Sequence, residues 1–572
     1  MENILAQNYP KIWSFSLHQC LPIFPALFSL LVLTACTESP APRMTVLTNI
    51  NGYTFDDQRQ LQTFQTLVVD SGKVIAIGDN QLAKNFTNAV IVNGHGKTLL
   101  PGITDAHGHV SSLGYTLLQI DLRKAPSAIQ AAYDIAEYAA NKPYLNWIRG
   151  RGWNQVLWPG QNFPTAKVLD ELVPNRPIWM ERIDGHAGWA NSRALELAGI
   201  NANTIAPPGG EIVRDADGNP TGILIDNAMN LVNQVIPPPS TEELAAAVEA
   251  ASAHLLSIGI TSTHDAGVSA SEHQFYSELA ESKKLRVRLY GMISSTDPAL
   301  NTILAEGTSV DANDLYSVRS VKVYTDGALG SRGAALLAPY EDRPGHSGLL
   351  LTSQQQLRAI LNQTISAGFQ VAIHAIGDKG NKIALDEIEE AYASVGGRHL
   401  RHRIEHAQVV ALNDIPRFKA LDVIPSMQPT HATSDMNMAE DRLGAERLKG
   451  AYAWRSFLEQ GNRLVSGSDY PIELANPFHG IHAAVTRQNH QNQPDQGWIP
   501  EQALNVEEAL LSFSLDAAFA AHQEEKLGGL SEGKWADFII IDQDIFTISP
   551  EDIWKTKVLQ TWVAGKLVYE QE

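Results

Sequence analysis

Two histidines one residue apart, His107 and His109, follow an apolar run that ends at Pro101-Gly102. In an extended strand alternate side chains share a face, so both imidazoles can address one point. Imidazole nitrogens converging at the end of a buried strand suit a divalent metal such as zinc, although a loop with two solvated histidines would read the same way. More groups follow at the ends of apolar β-type runs. They are Lys322 in Val321-Lys322-Val323-Tyr324, His374 after Val371-Ala372-Ile373, His406 after Arg403-Ile404-Glu405, and Asp469 in Gly467-Ser468-Asp469-Tyr470-Pro471. Singly each is weak; falling in order on successive runs, they point to one site. Asp184 and His186 in a Gly-flanked cluster, His264, Arg332 and His431 are further candidates for substrate contact. Trp153, Trp158 and Trp189 could line an aromatic pocket but suit a core better.

Such groups need a scaffold that brings distant strand ends together. Apolar runs at 99–105, 260–264, 286–292, 320–324, 369–374, 401–405, 423–427 and 463–467 alternate with helical stretches. Eight βα units predict a (β/α)8 TIM barrel, an α/β fold whose active-site groups lie at the C-terminal strand ends. Ser240-Thr241-Glu242-Glu243 and Ser353-Gln354-Gln355-Gln356 are capping-box starts of two of its helices. The first two strands are separated by ~150 residues, so a large insertion is expected there, at about 110–258, and it could roof the site. Short strands fill both ends of the chain, including a hairpin around Asp70-Ser71-Gly72-Lys73. Segments 44–100 and 530–572 are therefore expected to form one small β-sandwich domain, with the barrel at 101–529.

The 572 residues are 44% hydrophobic and 19% charged, with ample core for a globular protein. A net charge of -20 argues against nucleic acid or an anionic membrane surface as partner. The two cysteines, Cys20 and Cys36, exclude a Cys-rich zinc site downstream. Segment 1–36 carries an apolar stretch too short and Pro-interrupted for a membrane span, ending in Leu33-Thr34-Ala35-Cys36. It resembles a bacterial lipoprotein signal, which implies a lipid anchor at Cys36, a tether at 37–43, and an enzyme in the cell envelope facing the periplasm or exterior. A conventional cleaved signal, or a start near Met44, is the alternative.

The set His107, His109, Lys322, His374, His406 and Asp469 resembles that of the amidohydrolase superfamily, and most closely amidohydrolase family 3, with its N-substituted formamide deformylase-like members. Asp184-Gly185-His186-Ala187-Gly188-Trp189 and Asp326-Gly327-Ala328-Leu329-Gly330-Ser331-Arg332 share that flavour. The resemblance implies two divalent metal ions, zinc foremost. His107, His109 and Asp469 would hold one, His374 and His406 the other, and a CO2-derived carbamate on Lys322 would bridge them. It further implies a metal-bridging hydroxide, with Asp469 as general base and then acid, and Asp105 or Glu405 orienting the ligand histidines. The expected substrate is a small amide, N-formyl or N-acyl, cleaved at its C–N bond. The alternatives are a mononuclear deaminase, a cyclic amidase or esterase, and a non-catalytic ligand-binding lipoprotein. The oligomeric state is left open, a homodimer being one option.

Overall fold

Eight parallel strands carry the residues singled out above: β1 (Ile103–Gly108), β2 (Ile260–Val268), β3 (Arg288–Ser294), β4 (Tyr316–Tyr324), β5 (Gln370–Ala375), β6 (Arg403–His406), β7 (Ile424–Met427) and β8 (Val465–Ser466). The computed structural model describes residues 44–571, apart from 183–186, 208–209 and 331. The N-terminal signal and tether, with Cys20 and Cys36, lie outside the described residues, as do Asp184 and His186. Among the described residues no helix is long and apolar enough to cross a membrane.

Each strand pairs in parallel with the next, from β1 to β8. The ring is drawn shut just beyond β8, where Asp469 N donates to His107 O (2.7 Å) and His109 N to Tyr470 O (2.9 Å). The pleat explains the division of labour along a strand. In β4, Val321 and Val323 join the core with Leu357 and Leu361 of helix Gln354–Ser366, while Lys322 and Tyr324 alternate with them. Both expected capping boxes are present, Ser240 with Glu243 and Ser353 with Gln356.

The apolar run at 99–105 is not one strand. Thr98–Pro101 pairs with Phe538–Ile541, and the barrel strand begins only at Ile103. Both halves are fully buried, so one continuous apolar stretch serves two sheets. Gly102 between them has no room for a side chain, since a Cβ there would lie 2.2 Å from the Thr261 hydroxyl.

The strand Thr98–Pro101 belongs to a six-stranded sheet that mixes segments from both ends of the chain. A four-stranded sheet holds the hairpin of Thr66–Asp70 and Lys73–Gly78, which turns through Ser71 and Gly72 at φ +49° and +81°. Leu47, Leu67 and Val69 of one sheet pack on Leu99, Phe538 and Ile540 of the other. A buried ion pair joins this β-domain to the barrel: Arg288 of β3 donates to Asp537 at 2.5 and 3.1 Å.

Between β1 and β2 the chain builds a separate six-stranded sheet with its own core. There Trp153, Trp158 and Trp189 pack on one another at centroid distances of 6.1–6.3 Å. Their indole N–H groups donate to Met180 O, Ala125 O and Thr165 O. All three are buried structural residues, as their size favours.

Candidate metal centre

The start of β1's exit and the turn leaving β8 meet at the C-terminal mouth of the barrel. His107 and His109 therefore face Asp469, whose Oδ1 lies 3.0 Å from His109 Nε2 and 3.7 Å from His107 Nε2. Asp105 fixes this junction: its carboxylate accepts from His107 N (3.0 Å), Ser468 N (3.1 Å) and Ser468 Oγ (2.7 Å). Asp469 and His406 hold backbone φ angles of +62° and +73°. Such strain persists in non-glycine residues only where the surroundings impose it, and it gathers at functional sites.

On the other side of the cleft, His406 stands edge-on to His374 (4.5 Å between centroids) and near His107 (4.9 Å). His431 stacks against His406 and brings its Nε2 to 3.6 Å from Asp469 Oδ2. Ligating atoms thus gather into two groups that share Asp469, one with His107 and His109, one with His406 and His431, each within 4.8 Å. Lys322 Nζ is buried 3.0 Å from His107 Nε2.

The outer partners of the imidazoles decide what these atoms can bind. His107 Nδ1 faces Glu405, His109 Nδ1 faces Ala266 O (2.8 Å), and His406 Nδ1 faces Gln428 Oε1 (2.7 Å). All three partners are acceptors, so each ring carries its proton on Nδ1 and turns the Nε2 lone pair into the cleft. His109 Nε2 and Asp469 Oδ1 are then two acceptors 3.0 Å apart, an arrangement that calls for a cation between them. His374 Nε2 and His431 Nε2 are buried with no hydrogen-bond partner, two further nitrogens that could turn to a metal. The donor set fits divalent transition metal ions.

Electrostatics agree. Burial drives His107 down to about 4 and His374 down to about 3, with the Lys322 charge adding to both, so the rings stay neutral. Burial brings Lys322 down to about 8. Burial alone would raise Asp469 and Glu405. The imidazoles around Asp469, that of His109 first, and Arg403 and His107 beside Glu405 outweigh it and hold both carboxyls below the usual range.

The six residues expected at the strand ends therefore do meet in space, and His431 joins them. His264 is engaged by Arg403. It is fully buried, with Nδ1 2.8 Å from Arg403 Nη1, and supports the guanidinium that grips Glu405. Arg332 is held in a partly exposed ion pair with Asp342, through Nε at 3.1 Å and Nη2 at 2.8 Å. Gln428 and Tyr324 were missed from the sequence. Period-two alternation was the available signal for Tyr324, which follows Lys322 on the same face of β4, while Gln428 stands just past the end of β7.

Comparison with known proteins settles the kinship. The amidohydrolase family matches residues 90–569, most of the chain. The chain belongs to the amidohydrolase family. It is similar to Protein LONG AFTER FAR-RED 3 of Arabidopsis thaliana, with 34% identity over 93% of this chain and 92% of that protein. It is also similar to the N-substituted formamide deformylase of Arthrobacter pascens, with 27% identity over 92% of this chain and 99% of the other. Among solved structures, an uncharacterized metal-dependent hydrolase from Pyrococcus furiosus superposes with a TM-score of 0.74 and 29% identity, covering 88% of this chain and all of that one. Family and fold together make the chain a metal-dependent hydrolase.

Proposed function

We propose that this chain is a two-metal amidohydrolase that cleaves the C–N bond of a small N-formyl or N-acyl amine. The observation that carries the reading is the opposition of His109 Nε2 and Asp469 Oδ1, two acceptors 3.0 Å apart, beside the neutral imidazoles of His107 and His374. His107, His109 and Asp469 would hold one ion, and His374 and His406 the second, with His431 beside it. Lys322 would join them as a carbamate, for which burial of its amine, lowered to about 8, leaves a neutral fraction able to take up CO2. Divalent ions, zinc foremost, would acidify a water and polarise the scissile carbonyl.

The chain's own groups complete the reaction. Asp469, held ionised at the cleft, takes the proton of the attacking water. As the C–N bond breaks, the same carboxyl returns that proton to the departing amine nitrogen. Glu405, Ala266 O and Gln428 hold the imidazoles in the tautomer this requires. The similarity to an N-substituted formamide deformylase supports the acyl-amine class. We further propose that Cys36 bears a lipid and holds the enzyme in the cell envelope, its only membrane contact. Turnover of N-formyl and N-acyl amines, set against cyclic amides, esters and aminoaromatics, tests the reading. Release of free amine from the first set is expected, and turnover confined to the others would overturn the assignment.

A further inference from the structure

The cleft contains a hydroxyl that nothing above uses. Tyr324 ends β4 two residues beyond Lys322, on the same face and one step nearer the mouth. Its ring stands 5.3 Å from the His374 ring and 5.2 Å from Lys322 Nζ, so it lies beside two of the candidate metal-binding groups. The side chain reaches across the end of β3 towards β2, where its oxygen would be 3.4 Å from a Cβ on Gly267. Gly267, at φ +94°, leaves that space open beside Ala266, whose carbonyl holds His109. Tyr324 is only half-buried, and its hydroxyl has no hydrogen-bond partner among the described residues. A phenol projecting from a rigid strand into a polar cleft, with its proton uncommitted, is a preorganised donor.

We propose that the Tyr324 hydroxyl donates to the carbonyl oxygen of the acyl substrate, and that this hydrogen bond tightens as the carbonyl carbon becomes tetrahedral. The inference rests on the hydrolase reading of the same cleft. It places the substrate's acyl oxygen towards β4 and β2, and the leaving amine towards Asp469.

The test is Tyr324→Phe in the full-length, metal-loaded chain, read on whichever amide or ester the unmodified protein hydrolyses. The phenyl ring keeps the packing, so metal content and melting temperature should be unchanged. The value of kcat should fall by about 10²-fold with KM nearly constant, the pattern of an interaction made mainly in the transition state. A phosphonamidate analogue of the tetrahedral species should bind more weakly by a similar factor, while the ground-state amide binds as before. Turnover and analogue affinity within threefold of the unmodified chain would overturn the proposal and leave the hydrolase reading standing. A metal-loaded, unmodified chain that turns over no acyl substrate would overturn both.

Discussion

Glu405 of β6 accepts from Nδ1 of His107 on β1, across an interval of 298 residues. The same carboxylate receives Arg403 Nε at 2.5 Å and Ser426 Oγ at 2.8 Å, and Arg403 Nη2 also ties to Ala106 O at 2.7 Å. Position and tautomer of the first candidate ligand are thus set by a fully buried charge network beneath it. Glu405→Gln should weaken metal binding by roughly 10- to 100-fold, and should cost about 3–5 kcal/mol because Arg403 loses its buried counter-charge. Titration with a metal indicator and thermal melts of the apo-protein measure the two effects separately. Unchanged metal affinity would remove Glu405 from the account.

A second brace works on His109. Asp265 Oδ1 accepts from Val110 N at 3.0 Å, the first amide of the helix Val110–Leu118 that His109 caps, while the neighbouring Ala266 O holds His109 Nδ1. Asp265→Ala should cost about 1–2 kcal/mol, the usual loss for a helix start deprived of its acceptor. Asp265→Asn keeps an acceptor in place and should recover most of both stability and metal retention. Equal losses in the two variants, by melting and by metal analysis, would contradict this role.

The helix Val110–Leu118 also approaches the helix Thr241–Ser257 so closely that a Cβ on Gly114 would meet Ala247 O at 2.0 Å. Gly114→Ala forces the two backbones apart, at about 1–3 kcal/mol. A lowered melting temperature is the expected result, and an unchanged or raised one would mean that the helices separate freely.

Acid should destabilise the fold through histidines it keeps neutral. His402 is buried, its Nδ1 accepts from Val371 N at 3.1 Å, and burial brings it down to about 3. The unfolded chain binds that proton near pH 6.5, so this contribution is intact above 6.5 and shrinks by about 1.4 kcal/mol for each pH unit below it. Melts of His402→Gln between pH 5 and 8 should show a shallower decline than the parent, by about one proton's worth. Parallel curves would place the acid sensitivity elsewhere.

The barrel was legible because its signal is local: eight apolar runs in order, most of them followed by a polar group at the mouth. The candidate ligand histidines were legible for the same reason, since a residue after a barrel strand can only lie at the C-terminal face. What escaped depends on contacts between distant segments. No local pattern tells whether the residue after His107 packs against Tyr470, or that Gln428 reaches His406. His264 and Arg332 looked like pocket residues because their types are reactive, yet Arg403, 139 residues away, and Asp342, ten residues on, claim them. The apolar run at 99–105 misled for the opposite reason: both halves are buried, so nothing in their composition marks the passage from one sheet to the next.

Metal content per chain measures most directly the proposed two-metal site bridged by Lys322. Protein beginning after Cys36, purified without chelator in the presence of bicarbonate, should hold two divalent ions and release amine from an N-formyl or N-acyl substrate. Lys322→Ala should retain about one and lose turnover. A Lys322→Ala protein that keeps both ions and full activity, or a parent chain that binds only one, would contradict the account.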